Sequence, residues 1–179
     1  MLKPETAFLN VIDVQGRLAA IVFETEELHK NVVRLIEGVK LFDMPIVATE
    51  QVPDKLGDTS PDVAAALSDA PRLVKDTFSC YPTDVIREAY EATGRKQVIV
   101  CGIECHVCVW QTVRDLLGAG YEVQVAVDAV SSRSPVNKEI ALRRMERAGA
   151  LLTTTEMALF ELQYDCRGDR FRQIARLVK

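Results

Sequence analysis

Short apolar runs alternate with longer amphipathic segments along almost the whole chain. The short runs are typical of buried strands, and they predict six strands: residues 6–13, 45–49, a run that ends near Lys75, 97–101, 122–127 and 150–153. The longer segments have helical spacing; within residues 26–41, for example, apolar side chains recur at Leu28, Val32 and Leu35. The same spacing predicts helices over residues 61–67, 82–93, 107–117 and 135–147, and a helical tail over 156–179 with a break near Gly168.

This alternation predicts the fold class. Strands that are apolar on both faces are typical of a parallel sheet covered by helices. We therefore expect an α/β protein, a Rossmann-like three-layer α/β/α sandwich around a six-stranded parallel sheet. A length of 179 residues is typical of one domain, so we expect a single domain over residues 1–179. Ligands of such sheets bind beyond the carboxyl ends of the strands, where the strand order reverses.

Composition and charge narrow the range of partners. Apolar residues make up 48% of the chain, charged residues 27%, and the net charge is −4. No basic face is visible, so we expect no nucleic-acid partner. No run approaches the roughly 20 apolar residues that span a bilayer, and the N-terminus lacks the apolar core of a signal peptide. We expect a cytoplasmic protein with no membrane partner.

The cysteines indicate a reactive thiol rather than a disulfide framework. There are five, an odd number, at positions 80, 101, 105, 108 and 166. Cys108 follows a predicted strand and a glycine and lies near the start of a predicted helix. Backbone N–H groups and the helix dipole favour a thiolate at such a position. The same N–H groups can stabilise an oxyanion.

Polar residues at the ends of the predicted strands are the candidate site. They are Asp13, Thr49 with Glu50 and Gln51, Lys75, and the loop of residues 104–108. Each of these residues, taken alone, could be a helix cap or a solvated side chain. An acid, a lysine and a cysteine on three strand ends could instead converge on one pocket. The cysteine would attack a carbonyl-type carbon, the carboxylate would carry the proton, and the lysine would stabilise both charges.

Four segments at these strand ends resemble a known superfamily. They read VIDVQ at 11–15, LVKDTF at 73–78, GIECHVCVWQT at 102–112 and VDAVSSR at 127–133. Together they resemble the isochorismatase-like cysteine hydrolases over about residues 6–160. The loop ATEQVPDKLG at 48–57 is similar to the isochorismatase-domain-containing branch. The resemblance implies hydrolysis of a C–N bond (amide, carbamoyl or ureide) in a small-molecule substrate, and a homo-oligomer (dimer or tetramer).

The resemblance also implies residue roles. By motif position, the catalytic triad is Asp13, Lys75 and Cys108. A non-proline cis peptide is expected at Ile103-Glu104, and the backbone N–H groups of Glu104 and Cys108 are expected to form the oxyanion hole.

Substrate contacts and metal binding are predicted from the neighbouring loops. We expect Gln51, Phe78 and Val107 to contact the substrate. Nicotinamidases of the superfamily carry a metal site of aspartate and histidines after the second strand, whereas the only histidines here are His29 and His106. We therefore expect no metal and no cofactor.

Two alternatives remain open at this level. A substrate of the isochorismate type, or an ester, is the first. The second is an iron–sulfur or redox protein, because Cys101, Cys105 and Cys108 have the spacing of radical SAM enzymes, and Cys105-x-x-Cys108 that of thiol–disulfide motifs. Against the second, Cys101 lies within an apolar strand, where it reads as a small buried hydrophobic residue.

Overall fold

A computed structural model describes residues 1–179 and contains one sheet of six parallel strands. The strands are β1 Ala7–Ile12, β2 Ile46–Gln51, β3 Arg72–Lys75, β4 Gln97–Ile103, β5 Glu122–Ser131 and β6 Leu151–Thr153. Their order in the sheet is β3-β2-β1-β4-β5-β6. Helices cover both faces, and the predicted three-layer α/β/α fold is confirmed.

Nine helices and one π-helical segment, Cys105–Val109, connect the strands. The helices are α1 Gly16–Ala19, α2 Thr25–Lys40, α3 Pro53–Leu56, α4 Pro61–Leu67, α5 Asp84–Ala92, α6 Trp110–Gly118, α7 Pro135–Arg147, α8 Thr155–Gln163 and α9 Gly168–Leu177. The sequence predicts no helix at α1 and a loop where α3 lies. Each of these helices has only four residues, too few for a helical period to be visible.

The core lies in two layers because the side chains of a strand alternate between the faces of the sheet. In β1, Leu9 and Val11 pack into one apolar cluster, which also contains side chains of α2, α4, α8 and α9. Phe8 and Ile12 pack into the other, with side chains of α5, α6 and α7. No helix of the structure is long and apolar enough to cross a membrane.

The strand order reverses beside β1, which lies between β2 and β4. Gly102 of β4 is essential to the close pairing there. It adopts φ +120°, and a Cβ at this position would lie 2.0 Å from the carbonyl oxygen of Ile12. Only glycine permits both the backbone conformation and the approach. β4 consequently continues to Ile103, two residues beyond the predicted strand, and delivers the next loop to the carboxyl edge.

A second close backbone contact, between Gly16 and Leu56, joins α1 to α3 above this edge of the sheet. Gly16 begins α1 with φ +53°, and a Cβ there would lie 1.7 Å from the carbonyl oxygen of Leu56 at the end of α3. α1 and α3 therefore pack backbone to backbone. The two short helices that the sequence does not predict together form one side of the pocket described next.

Candidate active site

Asp13 and Lys75 meet at the carboxyl ends of β1 and β3. Lys75 Nζ lies 2.6 Å from Asp13 Oδ2, and the two side chains are only 0% and 5% exposed. Burial lowers the pKa of Lys75, but the neighbouring acidic groups, the Asp13 carboxylate above all, more than offset it, so the pKa lies above its ordinary value. Lys75 is therefore a buried cation at neutral pH, paired with a carboxylate.

The ammonium group of Lys75 is held by further acceptors. It donates to Gln51 Oε1 at 2.7 Å and to the carbonyl oxygens of Thr77 and Phe78, each at 3.1 Å. An ammonium has three N–H donors, and these three hydrogen bonds occupy them all. Lys75 has no free donor to offer a ligand in the pocket.

The two oxygens of Asp13 have different surroundings. Thr49 Oγ1 donates a hydrogen bond to Oδ1 at 2.7 Å. Oδ2 is buried and, although it lies beside the Lys75 ammonium, no donor reaches it with hydrogen-bond geometry. Asp13 itself has φ +50°, a turn that takes the chain out of β1. Oδ2 is thus an acceptor with capacity for one more proton donor.

Cys108 lies in the π-helical segment after β4. The peptide bond Ile103-Glu104 that precedes this segment is cis, as the resemblance implies. Cys108 is 8% exposed, and its thiol donates to Gln51 Oε1 at a distance of 3.5 Å. The structure therefore brings Asp13, Lys75 and Cys108, predicted from three separate segments, around one point.

The expectation that Cys108 is a thiolate is wrong. Burial raises the pKa of Cys108, the charge of Asp13 raises it further, and Lys75 only partly compensates, so the pKa is about 12. The backbone also differs from an open helix start. The N–H groups of Val107 and Val109 both donate to the carbonyl oxygen of Glu104, so these donors do not face the sulfur.

A cavity of about 250 Å³ opens above these groups. Asp13, Gln51 and Cys108 line its base, and its walls are largely apolar. The predicted substrate contacts Gln51, Phe78 and Val107 all line it, as does Glu104. Sequence reasoning missed the remaining lining residues, which are Gln15, Leu18, Val52, Lys55, Leu56 and Ile103. Five of these six lie on or beside α1 and α3, where no sequence pattern indicates structure.

Glu104 is held by an arginine outside the cavity. Its carboxylate accepts hydrogen bonds from Arg133 N and Nε, both at 3.1 Å, and from a terminal guanidinium nitrogen at 3.3 Å. Burial raises the pKa of Glu104, but these bonds from Arg133 outweigh it, and the pKa lies below its ordinary value. Glu104 is 6% exposed, so its carboxylate is fixed and its charge is balanced.

The iron–sulfur alternative is contradicted by the positions of the thiols. Cys101 packs into the cluster on one face of the sheet, and Cys105 and Cys108 into the cluster on the other. Cys101 points to one face of β4, so the sheet lies between its thiol and those of Cys105 and Cys108. No group of three or more His, Cys, Asp or Glu side chains is placed to hold a metal ion. All five cysteines are unpaired, and burial raises the pKa of Cys105 to about 12.

Comparisons with known proteins agree with this fold. The chain matches the family model of the Isochorismatase domain over residues 6–157. It is 37% identical over 182 residues to the secreted isochorismatase effector Isc1 of Phytophthora sojae, with 99% of this chain and 87% of the relative covered.

Two solved structures are similar over nearly the whole chain. The MAR1 ribonuclease from Caenorhabditis elegans has a TM-score of 0.90 at 36% identity and covers 99% of this chain and 91% of its own. The YcaC gene product from Escherichia coli, described as an octameric hydrolase of unknown specificity, has a TM-score of 0.92 at 28% identity, with coverages of 98% and 88%.

Fold and neighbours together define the class as an isochorismatase-like α/β hydrolase. The chain belongs to the isochorismatase family and is a hydrolase.

Proposed function

We propose that this hydrolase cleaves a C–N bond of a small amide, carbamoyl or ureide compound through a thioester on Cys108. One observation carries the proposal. Cys108 shares the base of a single cavity with Asp13, whose Oδ2 is buried beside Lys75 and accepts no hydrogen bond. A nucleophile with an adjacent proton acceptor is the arrangement that covalent acyl transfer uses, and the fixed cation of Lys75 keeps the acceptor ionised.

The proton path follows from the high pKa of Cys108. A thiol with a pKa of about 12 is protonated at neutral pH, so a base must take its proton as the sulfur attacks. Asp13 accepts that proton at Oδ2, and the S–C bond forms while the carbonyl π electrons move to oxygen. The backbone N–H groups of Glu104 and Cys108 are the proposed oxyanion hole.

The second half of the cycle restores the site. Asp13 gives the proton to the leaving nitrogen, the C–N bond breaks and the acyl group remains on Cys108 as a thioester. A water molecule then gives a proton to Asp13 and attacks the thioester carbon. The C–S bond breaks, and the proton returns from Asp13 to sulfur. Lys75 stays charged throughout and balances the carboxylate each time it is deprotonated.

The charges of the cavity favour an uncharged substrate. Lys75 has no free donor, and Glu104 adds a carboxylate that is already paired with Arg133. The remaining cation, Lys55, is exposed on α3 at the mouth. A dicarboxylate of the isochorismate type would carry two negative charges into a cavity in which Lys55 is the only basic lining residue. A neutral amide with an apolar body matches the walls formed by Leu18, Leu56 and Phe78 and a volume of about 250 Å³.

The activity in the name of the C. elegans relative is not the one this site favours. Cleavage of RNA requires cations that neutralise the phosphate backbone. Here the net charge is −4, and Lys55 is the only basic side chain that lines the cavity. We therefore place small neutral compounds before nucleic acid.

We also propose that the protein is a homo-oligomer in a reducing compartment such as the cytoplasm. The E. coli neighbour is an octamer, which supports an oligomer without choosing between dimer, tetramer and octamer. All five thiols are unpaired, including the exposed Cys166, which supports a reducing compartment. The P. sojae relative is by its name secreted.

A panel of small neutral amides, carbamates and ureides tests the proposed reaction, with release of ammonia or amine as the readout. We expect turnover of at least one apolar amide and, after rapid acid quenching, a mass increase on the peptide that contains Cys108. Cys108→Ser should abolish both signals, and Cys166→Ser should leave both unchanged. Turnover that survives in Cys108→Ser would refute the thioester.

A further inference from the structure

The backbone of Gln51 is fixed by a neighbouring glutamine. Gln15 Oε1 accepts the backbone N–H of Gln51 at 2.6 Å, and Gln15 Nε2 donates to the carbonyl oxygens of Gln51 at 3.1 Å and Gly57 at 2.6 Å. Gln15 is 1% exposed. Its side chain therefore binds both backbone groups of Gln51, in the way that a neighbouring strand would.

The side chain of Gln51 has only one workable orientation. Its Oε1 accepts from Lys75 Nζ at 2.7 Å, and its Nε2 donates to the carbonyl oxygen of Asp76 at 3.4 Å. An ammonium donates only, and an amide NH₂ donates only. A flipped amide would set two donors against each other next to Lys75 and two acceptors against each other next to Asp76. Lys75 thus determines that the oxygen of Gln51 faces the site.

The same oxygen faces the sulfur of Cys108. The distance from Cys108 Sγ to Gln51 Oε1 is 3.5 Å, with the thiol as donor. A carbonyl oxygen accepts a hydrogen bond from S–H but repels S⁻, so its position favours the protonated form. Oε1 also shares the Lys75 ammonium with Asp13, which holds the cation away from a direct hydrogen bond with sulfur.

We propose that Gln51 is a positioning residue that keeps Cys108 as an unreactive thiol in the empty site, a role that rests on the proposed function of Cys108. Bound substrate acts against this restraint because the S–H group must turn from Gln51 to Asp13 before the sulfur can attack. Gln51 thus restricts the reactivity of the nucleophile to the moment when a substrate carbonyl lies beside it. The thiol is protected from other electrophiles in the meantime.

Alkylation of Cys108 by iodoacetamide tests this role without any substrate. The background is Cys166→Ser, which removes the exposed thiol, and the rate is followed by peptide mass spectrometry between pH 7 and 10. Gln51→Met keeps the length of the side chain and removes the oxygen. We expect it to accelerate alkylation about tenfold at each pH, the change that a one-unit fall in thiol pKa produces.

Gln51→Glu provides the opposite change, because a carboxylate repels the thiolate more strongly than an amide oxygen does. We expect slower alkylation than in the parent protein. The proposal is overturned if Gln51→Met alkylates at the parental rate or more slowly, or if both variants change the rate in the same direction. Far-UV circular dichroism and thermal unfolding verify that each variant is folded.

Gln51→Asn keeps the amide but shortens the side chain by one methylene. It should accelerate alkylation as Gln51→Met does.

The outcome is separable from that of the proposed function. If amides are hydrolysed by the parent but Gln51→Met does not accelerate alkylation, the role of Gln51 fails and the hydrolase proposal stands. If Gln51→Met accelerates alkylation but no amide, carbamate or ureide is turned over, the substrate proposal fails and the restraint by Gln51 stands.

Discussion

The Thr49 hydroxyl donates a hydrogen bond to Asp13 Oδ1 at 2.7 Å, on the opposite oxygen from the one beside Lys75. Both residues are buried, at 2% and 4% exposure. Thr49 Oγ1 also lies 3.8 Å from the sulfur of Cys80. Because each carboxylate oxygen is held from its own side, the plane of the carboxylate cannot rotate, and Oδ2 stays directed into the site.

Thr49→Val tests the importance of that orientation. Valine has nearly the shape of threonine but cannot donate, so Asp13 loses a charge-assisted hydrogen bond worth about 1.5–3 kcal/mol. We expect the rate of acylation of Cys108 by a reactive amide or ester to fall about 10- to 100-fold. Thr49→Ser keeps the hydroxyl and should retain most of the rate, measured in the same single-turnover experiment. Equal rates for Thr49→Val and the parent would show that Lys75 alone orients Asp13.

The buried ion pair of Asp13 and Lys75 should have a measurable effect on the free energy of unfolding. Removal of one partner from a buried ion pair leaves an uncompensated charge and typically costs about 3–5 kcal/mol, whereas replacement of both is far less costly. We expect Lys75→Met to be strongly destabilising and the double variant Asp13→Asn with Lys75→Met to be more stable than Lys75→Met alone. Urea unfolding of the parent, both single variants and the double variant measures this. Additive losses would mean that the two charges are not coupled.

Much of the site could be predicted because parallel α/β sheets direct their strand ends to one edge. The fold rule places Asp13, Lys75 and Cys108 at one edge of the sheet, where they could converge, and the resemblance to the superfamily assigns them as a triad. The pairing of Gln15 with Gln51 could not be predicted, since it depends on α1 and α3, whose four residues each are too short to show a period. The protonation state of Cys108 could not be predicted either. A sequence shows that a thiol lies near a helix start, but not how much burial and a nearby carboxylate oppose its ionisation.

The buried thiols predict how stability depends on pH. Burial raises the pKa of Cys105, and burial together with Asp13 raises that of Cys108, each to about 12, whereas an unfolded cysteine titrates near 8.5. Below about pH 8.5 both states are protonated, and stability is complete. Above it, only the unfolded chain loses these protons, so each thiol should cost about 1.4 kcal/mol per pH unit until the folded pKa is reached.

Urea unfolding at pH 8, 9 and 10 measures this loss. We expect the free energy of unfolding to fall steadily across the range. Cys105→Ala lowers stability at every pH by leaving a small cavity, but its slope with pH should be shallower than that of the parent. Cys166→Ser is the matched control, because Cys166 is exposed and its replacement leaves every buried thiol in place, so its slope should equal the parental one. A flat parental profile would contradict the raised pKa values.

Arg133 predicts a change at the acid end of the pH range. In the parent, Arg133 outweighs burial and holds the pKa of Glu104 below its ordinary value. A depressed carboxyl pKa adds stability that is present above the unfolded pKa, near 4.3, and is lost as pH falls through the folded value. Arg133→Gln removes the guanidinium but keeps the backbone N–H bond to Glu104, so the pKa of Glu104 should rise toward that of the unfolded chain and this contribution to stability should shrink. We expect the variant to be less stable than the parent at pH 7 and to approach it as the pH falls below about 4.3, measured as the unfolding temperature between pH 3 and 7. Glu104→Gln in the Arg133→Gln background should remove this pH dependence, since no carboxyl group remains to titrate there. An unfolding profile of Arg133→Gln that runs parallel to that of the parent would refute the assignment.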